Sequence, residues 1–157
     1  YSSGSLGHGV SVGAGIALAK KRDNIPGNVY VMIGDGECNE GMIWEAILFA
    51  SSFKLDNLTV ILDFNNLQGL GNSNKIIKLE PLSKKFESFG WQTIQVDGHN
   101  FKKLNKAFAK NIKNKPKIII AKTIKGKGLL SMQNKLSSHY ETISNEAKLK
   151  KYLKEIN

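Results

Sequence analysis

Cysteine is scarce in this chain, since Cys38 is the single cysteine among 157 residues. One cysteine cannot form an internal disulfide, which excludes a disulfide-rich secreted domain and favours a reducing compartment. The chain starts at Tyr1, and it lacks a basic start followed by an apolar stretch and a cleavage site, so neither an intact start nor a signal peptide is visible. We therefore expect a cytoplasmic protein of which this chain is a fragment.

Internal repeats, low-complexity tracts and membrane-spanning apolar runs are also missing from the sequence. Hydrophobic residues make up 41% and charged residues 23%. This ordinary mixture argues against a disordered, collagen-like or membrane protein. A length of 157 residues is that of one domain with a sizeable core.

Negative charge is scarce in the last third of the chain. Residues 1–100 contain 8 basic and 10 acidic residues, whereas residues 101–157 contain 15 basic and 3 acidic residues. Clustered lysines attract nucleic acids, anionic membrane surfaces and phosphorylated small molecules. These lysines are scattered through helix and strand patterns without interleaved aromatics, which favours a solvated surface over nucleic-acid binding.

Strand and helix patterns alternate along the chain. Short β-branched runs predict strands at residues 29–33, 58–62, 92–96 and 118–121, the first two buried on both faces. Helices are predicted at about residues 10–22, 40–52 and 101–112, and an amphipathic helix is predicted near the end of the chain. In the second helix, the predicted inward residues are Ile43, Ile47, Leu48 and Ala50. The order predicts an α/β fold with a mostly parallel sheet and helices on both faces.

Glycines and oxygen-bearing side chains follow the first two predicted strands. Gly34-Asp35-Gly36 follows the first strand, and Asn65 and Asn66 follow the second. Parallel sheets bind ligands where the strands end, and glycines let a phosphate approach the backbone closely. Carboxylate and amide oxygens suit Mg²⁺ bound to a diphosphate. The combination predicts such a site, although Gly-Asp-Gly by itself is also typical of a turn.

The spacing of these motifs carries a family resemblance. Gly34-Asp35-Gly36, followed by Asn65-Asn66 after 28 intervening residues, resembles the thiamine diphosphate motif of transketolases, pyruvate dehydrogenases and related enzymes. Four further segments are similar to successive landmarks of the transketolase N-terminal region: residues 4–9, 34–41, 97–99 and 122–128. The resemblance covers about residues 3–140. It implies a diphosphate-binding α/β domain at residues 1–128, incomplete at its N-terminus, followed by a loop and C-terminal helix at residues 129–157.

The resemblance also implies a set of ligands for thiamine diphosphate and for Mg²⁺ or another divalent cation. The cation ligands correspond to Asp35, Asn65 and the backbone carbonyl of Leu67, with Asn66 as the alternative to Asn65. The cofactor-binding residues correspond to Gly4, Leu6, Gly34, Asp35, Gly36, Glu37 and Asn65. Among these, Gly36 and Glu37 match backbone donors to the diphosphate, while Gly4 and Leu6 match the loop against the thiamine rings, although Leu6 would also suit the core.

The histidines are weighed one by one. His139 corresponds to the family's histidine near the diphosphate and the reacting oxygens, but Ser138 stands where the family carries tryptophan. A histidine there can transfer protons or donate to a phosphate. His8 is a second catalytic candidate, with capping of a helix or turn as its alternative. His99 is interpreted as shaping its loop, and Cys38 as a packed small residue without a base partner.

Transketolase-like activity is the function that the resemblance implies, namely transfer of a two-carbon ketol unit from a ketose, or its phosphate, to an aldose, or its phosphate. The family's glutamate that activates the cofactor lies in a pyrimidine-binding domain, so we expect a partner subunit or domain of that kind and an oligomer. Glu37 and Glu40 correspond to carboxylates near a subunit interface, although Glu40 at a helix start would also stabilise the helix dipole. The alternatives are a cofactor-binding subunit without catalysis of its own and, less favoured, a basic nucleic-acid-binding protein.

Overall fold

Four parallel strands form the main sheet of the computed structural model, which describes residues 4–156. The strands are β1 (Val29–Gly34), β2 (Leu58–Phe64), β5 (Gln92–Asp97) and β6 (Lys117–Lys122), in the order β1-β2-β6-β5. A two-stranded antiparallel hairpin, β3 (Leu67–Gln68) and β4 (Gly71–Asn72), follows β2. Residues 1–3 of the predicted diphosphate-binding domain and residue 157 at the end of the predicted C-terminal region lie outside the described residues.

Helices precede, connect and follow the strands of the main sheet. They are α1 (His8–Arg22), α2 (Gly41–Ser52), α3 (Ser73–Ile76), α4 (Leu82–Ser88), α5 (Phe101–Ala109) and α6 (Glu146–Ile156). Two short 3-10 turns lie at Asp35–Asn39 and Leu136–His139. None of the helices within residues 4–156 is both long and apolar enough to cross a membrane.

Helices cover both faces of the sheet, as predicted. Gly13 of α1 lies directly against Val31, whereas Phe108 of α5 makes an edge-to-face contact with Tyr30 at a centroid distance of 5.9 Å. Neighbouring residues in a strand point to opposite faces, so α1 and α5 lie on opposite sides of β1. The larger core lies on the α1 side, where buried residues of α1, α2 and α4 pack together with Val60 of β2.

Two details of the predicted packing are wrong. Strand β1 is buried on one face instead of two, because Tyr30 and Met32 are 55% and 71% exposed on the face that α5 covers only in part. In α2, Leu48 is 55% exposed, since the buried residues Ile43, Ala46, Ile47 and Ala50 occupy a different side of the helix. Helix α5 also ends at Ala109, earlier than predicted.

The C-terminal helix α6 packs on the loop that precedes it. Tyr152 is buried, and its hydroxyl donates to Glu141 Oε1 at 2.9 Å. Glu155 Oε2 accepts a hydrogen bond from the backbone N–H of Ser131 at 2.9 Å. These contacts fold the loop back on itself and return residues 136–140 toward the carboxyl end of the sheet, where His139 and Tyr140 reach the same cavity as β1 and β2.

Candidate functional site

The carboxyl ends of β1 and β2 open into one cavity of about 530 Å³. The register of the two strands sets Gly34 opposite Asp63, so the segments that follow both strands lie at the same edge of the sheet. Eight of the predicted site residues line the cavity: Leu6, Gly34, Asp35, Gly36, Glu37, Asn65, Leu67 and His139. The fold therefore brings together most of the predicted site from distant parts of the sequence.

Gly4 and His8 are the predicted site residues that do not line this cavity. Gly4 is exposed. His8 is the first residue of α1, and its Nδ1 lies 3.2 Å from the backbone oxygen of Leu6 on the exposed surface. The predicted contact of Gly4 with the thiamine rings and the predicted catalytic role of His8 stay predictions.

Asp35 is a buried carboxylate with an unused oxygen. Its side chain is 2% exposed, and its Oδ2 has no hydrogen-bond partner among residues 4–156. Burial raises the pKa of the Asp35 carboxyl above its usual value, against the opposing effects of the backbone N–H of Asn66, the Ser73 hydroxyl and the backbone N–H of Gly36. A buried carboxylate oxygen without a donor is costly unless a cation binds it. Asp35 thus fits a metal ligand.

Asn65 contributes a second oxygen to the same edge. Its Oδ1 accepts a hydrogen bond from the backbone N–H of Leu67 at 3.0 Å, and its Nδ2 donates to Asp63 Oδ2 at 3.1 Å. Asn66 does not line the cavity, and its Oδ1 accepts from Asn74 Nδ2 at 3.3 Å instead. The geometry favours Asn65 over Asn66 as the side chain available to a cation.

Glu37 joins the two glycine-containing loops through its side chain. Its Oε2 accepts from the backbone N–H of Gly7 at 2.9 Å, and its Oε1 accepts from that of Gly34 at 3.0 Å. Gly7 has a φ of 83°, a left-handed conformation that glycine adopts without steric cost. The carboxylate therefore holds the start of α1 against the end of β1.

Gly36 is close to the hairpin that follows β2. A Cβ atom at Gly36 would lie 2.8 Å from both Cβ and Oε1 of Gln68, so only glycine fits there. Gln68 Oε1 accepts from Asn39 Nδ2 at 3.3 Å, and Gln68 Nε2 is buried without a partner within the described part of the chain. Gln68 thus leaves a hydrogen-bond donor at the cavity wall, which sequence analysis missed.

The cavity wall is strongly acidic. Four carboxylates and one lysine line it: Asp35, Glu37, Glu40, Asp63 and Lys125. Like charges repel, so a diphosphate alone would be disfavoured here, whereas a divalent cation between the carboxylates and the phosphates would favour both. Residues 4–156 contain no cluster of three or more Cys, His, Asp or Glu side chains that could hold a metal ion. The carboxylate and amide oxygens that line the cavity fit Mg²⁺, which commonly takes few protein ligands together with phosphate oxygens and water.

Lys125 is a site residue that sequence analysis did not select. It belongs to the segment after β6, which lies next to β2 in the sheet. The backbone N–H of the preceding residue, Ile124, donates to His99 Nε2 at 2.8 Å, and the backbone N–H of His99 donates to Asp97 Oδ1 at 2.9 Å. His99 therefore shapes its loop, in agreement with the sequence analysis. The position of Lys125 after a central parallel strand was the signal that could have identified it.

His139 and Tyr140 lie together at the mouth of the cavity. Their rings make an edge-to-face contact with centroids 4.8 Å apart, and the Tyr140 hydroxyl lies against Gly69. Ser138, which stands at the position of the family's tryptophan, donates from its hydroxyl to the backbone oxygen of Lys135 at 2.6 Å. An aromatic neighbour of His139 is thus present, but it follows the histidine instead of preceding it.

Cys38 and Trp44 are part of the packing around the site. Cys38 is 1% exposed, and burial, together with the nearby carboxylates of Asp35 and Glu37, raises the pKa of its thiol to about 12. The thiol therefore stays protonated and is a poor nucleophile. The indole N–H of Trp44 donates to the backbone oxygen of Cys38 at 3.0 Å, and its ring stacks on Phe86.

Comparison with known families agrees with the geometry of the site. Residues 1–154 match the family described as transketolase, thiamine diphosphate binding domain. The chain belongs to this transketolase family. The transketolase from Campylobacter jejuni has a TM-score of 0.87 to this chain at 33% identity, covering 98% of this chain and 25% of that one. The transketolase from Leishmania mexicana has a TM-score of 0.79 at 28% identity, covering 87% and 22%. These structures confirm the predicted thiamine diphosphate-binding α/β fold.

Transketolase sequences include both separate subunits and longer chains. The 6-deoxy-6-sulfo-D-fructose transketolase subunit SqwG of Clostridium sp. (strain MSTE9) is 43% identical over 147 residues, which cover 92% of this chain and 54% of SqwG. One of the subunits of apulose-4-phosphate transketolase from Phocaeicola vulgatus is 37% identical over 141 residues, covering 88% and 50%. Human transketolase is 43% identical over 139 residues, covering 88% and 22%. The chain thus spans about half the length of these two subunits.

Proposed function

We propose that this chain supplies the diphosphate-binding half of a transketolase-like transferase that requires thiamine diphosphate and Mg²⁺ or another divalent cation. The observation that carries the proposal is the acidic cavity at the ends of β1 and β2, in which buried Asp35 has an oxygen without a partner among the described residues. Thiamine diphosphate, when bound, supplies the carbanion chemistry by which a two-carbon ketol unit passes from a ketose or ketose phosphate to an aldose or aldose phosphate.

The residues at the strand ends would hold the cation and the diphosphate. Asp35, the amide oxygen of Asn65 and the backbone carbonyl of Leu67 would bind the cation, because hard divalent cations prefer oxygen ligands. The backbone N–H groups of Gly36 and Glu37 would donate to the diphosphate, since oriented backbone donors bind phosphate oxygens. The chain would thereby fix the cofactor before any substrate enters.

The residues at the mouth of the cavity would offset the negative charge of the cofactor, contact its rings and exchange protons with the substrate. Lys125 would offset part of the negative charge of the diphosphate. His139, and His8 at the start of α1, would exchange protons with substrate oxygens. Gly4 and Leu6 would contact the thiamine rings.

A second polypeptide or domain would complete the site. Leu6, Leu70 and Tyr140, at the mouth of the cavity, are 56%, 84% and 71% exposed. Two relatives that this chain matches over about half their length are themselves named as subunits. We propose a pyrimidine-binding partner that covers these side chains in an oligomeric assembly, with residues 1–128 as the diphosphate-binding domain and residues 129–157 as the loop and helix that present His139. The single cysteine favours the cytoplasm as the location.

Calorimetric titration of thiamine diphosphate into the purified protein tests the proposal, with and without Mg²⁺ and with and without a pyrimidine-binding partner. We expect Mg²⁺-dependent binding that Asp35→Ala weakens about 100-fold or more, since even residues that only support a metal ligand are worth 10–100-fold. Asp23→Ala is the matched control, because Asp23 is an exposed carboxylate at the far end of α1, about 20 Å along the helix from its first residue.

The outcomes separate the candidate functions. Binding that needs the partner, followed by ketol transfer, supports a divided enzyme. Cofactor binding without turnover beside a competent partner would identify a non-catalytic subunit. No binding even with a partner shown to associate would refute the cofactor assignment, and salt-sensitive binding to polynucleotides would then be measured.

A further inference from the structure

Asp63 joins a candidate metal ligand to the neighbouring strand. It is the sixth residue of β2, and its Oδ2 accepts a hydrogen bond from Asn65 Nδ2 at 3.1 Å. Its Oδ1 accepts from the hydroxyl of Thr123, the residue that directly follows β6. The backbone N–H of Thr123 donates to Phe64 O at 3.1 Å, which continues the pairing of β2 and β6. Both oxygens of Asp63 are thus used within the chain.

The hydroxyl of Thr123 is held in place by its surroundings. Its methyl group lies so close to Gly98 that a Cβ atom at residue 98 would not fit. The next residue, Ile124, is fixed by the hydrogen bond from its backbone N–H to His99 Nε2 at 2.8 Å. Since a hydroxyl has one proton to donate, Thr123 gives it to Asp63, and the direction of this hydrogen bond is set.

The same argument sets the orientation of the Asn65 amide. A half-turn of an asparagine amide exchanges its oxygen with its nitrogen, and only hydrogen-bond partners distinguish the two orientations. An ionised carboxylate only accepts hydrogen bonds, so Nδ2 of Asn65 must face Asp63. The amide oxygen then faces the opposite way, where it accepts from Leu67 N–H at 3.0 Å and keeps a second lone pair for a ligand.

We infer that Asp63 is a positioning residue that turns the amide oxygen of Asn65 toward the cation. This inference rests on the proposed function, because it concerns the cation that holds the diphosphate. Asp63 acts through Asn65 rather than by binding the cation, since both of its oxygens already accept hydrogen bonds. For cation binding, we therefore expect the negative charge of Asp63 to matter less than its role as a hydrogen-bond partner that can only accept.

The first test is Asp63→Asn, which preserves the shape of the side chain. A hydroxyl can also accept, but residue 63 is the acceptor that the Thr123 hydroxyl has among residues 4–156, so the hydroxyl keeps a partner by donating to the oxygen of the new amide, whose NH₂ group then faces Asn65. Two NH₂ groups cannot pair, so the Asn65 amide either turns over, which sets its nitrogen against the cation and the Leu67 N–H, or keeps its orientation with an unpaired NH₂ group; in both cases its oxygen is no longer held toward the cation by residue 63. We expect Mn²⁺, measured by electron paramagnetic resonance in the presence of thiamine diphosphate, to bind about tenfold or more weakly.

Asp97→Asn is the matched control for this variant. Asp97 is the last residue of β5, a position similar to that of Asp63 near the end of β2. The Oδ1 atom of Asp97 accepts a hydrogen bond from the backbone N–H of His99 at 2.9 Å. An asparagine oxygen can accept the same hydrogen bond, and Asp97 does not line the cavity. The control makes the same change of charge and should leave Mn²⁺ affinity unchanged.

The double variant Asp63→Asn/Asn65→Asp tests positioning against a merely structural role. The NH₂ group at residue 63 would donate to the carboxylate at residue 65, so the hydrogen bond returns with its direction reversed. The net charge equals that of the original protein, and an oxygen faces the cation again. We expect Mn²⁺ affinity to recover, whereas a general loss of structure at residue 63 would leave it low.

The side-chain amide signal of Asn65 provides a readout that needs no cofactor. In ¹H–¹⁵N spectra of the protein without thiamine diphosphate, Asp63→Asn should shift the Asn65 NH₂ resonances, while Asp97→Asn should not. If the original protein binds Mn²⁺ with thiamine diphosphate and Asp63→Asn binds it equally well with unshifted Asn65 signals, the inference is wrong and the proposed function stands. If the original protein binds no Mn²⁺ with thiamine diphosphate even beside a partner shown to associate, the proposed function fails, and the amide signals alone decide whether Asp63 orients Asn65.

Discussion

Replacing Asp35 with asparagine should stabilise the protein in the absence of cofactor and remove most of its stabilisation by cofactor. Asp35 is 2% exposed, its Oδ2 has no partner among residues 4–156, and the nearby carboxylate of Asp63 disfavours its ionised form. Asparagine keeps the oxygen that accepts backbone N–H groups and removes the buried charge. The residue that fits the cation best is therefore one that costs the protein stability.

The expected gain comes from removing the buried charge, because the NH₂ group that replaces Oδ2 is a polar group as well; each unit by which burial raises the pKa of Asp35 is worth about 1.4 kcal/mol in the free energy of unfolding. In a domain of this size each kcal/mol raises Tm by about 2–4 °C. With Mg²⁺ and thiamine diphosphate at about 100 times the dissociation constant, the original protein should gain about 2.7 kcal/mol, whereas Asp35→Asn, with an affinity about 100-fold lower, should gain about 0.4 kcal/mol. Addition of the cofactor should then reduce or reverse the difference in Tm between the two proteins.

The gain should also depend on pH. The pKa of Asp35 in the folded protein is raised above its usual value of 3.8. At a pH above the pKa of the folded protein, the ionised carboxylate therefore lowers the free energy of unfolding. At a pH below 3.8, the carboxyl is protonated in both the folded and the unfolded protein, and this cost vanishes. Thermal unfolding followed by circular dichroism should show a larger advantage of Asp35→Asn at neutral pH than near the folded pKa.

A matched control separates this effect from a general change in charge. Asp23→Asn removes an exposed carboxylate and should change the free energy of unfolding by no more than about 0.5 kcal/mol. If Asp35→Asn is less stable than the original protein at neutral pH without cofactor, then the Asp35 carboxylate is satisfied in a way that its burial and unpartnered oxygen do not reveal, and the reasoning is refuted.

Three further changes test other parts of the structure. Gly36→Ala should lower the free energy of unfolding by about 1–3 kcal/mol, because the added methyl group overpacks against Gln68. Adding Gln68→Gly to this variant should restore part of the loss in urea unfolding. An unchanged urea midpoint for Gly36→Ala would contradict the close approach of Gly36 and Gln68. Lys125→Met should weaken binding of Mg²⁺–thiamine diphosphate in calorimetry at low salt, with a smaller effect at high salt, because ions screen charge interactions; a salt-independent effect would argue against an electrostatic role. Lys117→Met should lower the free energy of unfolding by about 1–3 kcal/mol. Lys117 is 2% exposed, and its ammonium group donates to backbone carbonyls at the end of α5, including Phe108 O at 2.7 Å. An equally stable variant would show that these carbonyls find other donors.

Much of the fold was predictable from local patterns, but the segment between β2 and β5 was not. The hairpin of β3 and β4 and the short helices α3 and α4 have no long periodic pattern of their own. Helix α4 is seven residues long and is held in place by tertiary packing, since Leu82 and Phe86 are buried in the main core and Phe86 stacks on Trp44. Elements of this length are stabilised by their neighbours more than by their own sequence.

The packing of individual faces also needed the tertiary structure. The apolar run of β1 predicted burial on both faces, yet Met32 is 71% exposed because β1 lies at the edge of the described sheet and α5 covers only part of its second face. Leu48 fits a helical pattern, but its side of α2 faces away from the core. Hydrophobicity shows which residues favour burial, whereas the number of neighbouring elements decides which are covered.

By itself, the sequence determined that Asp35 and Asn65 would meet, because they follow two parallel strands and the carboxyl ends of such strands lie at one edge of the sheet. The family resemblance already favoured Asn65 over Asn66 and named His139, whereas only the tertiary structure decided that Lys125 reaches the cavity from a later segment. It alone also left Asp35 Oδ2 without a partner among the described residues while both oxygens of Asp63 are engaged. Strand register and long-range hydrogen bonds control these features, and neither depends on neighbouring letters of the sequence.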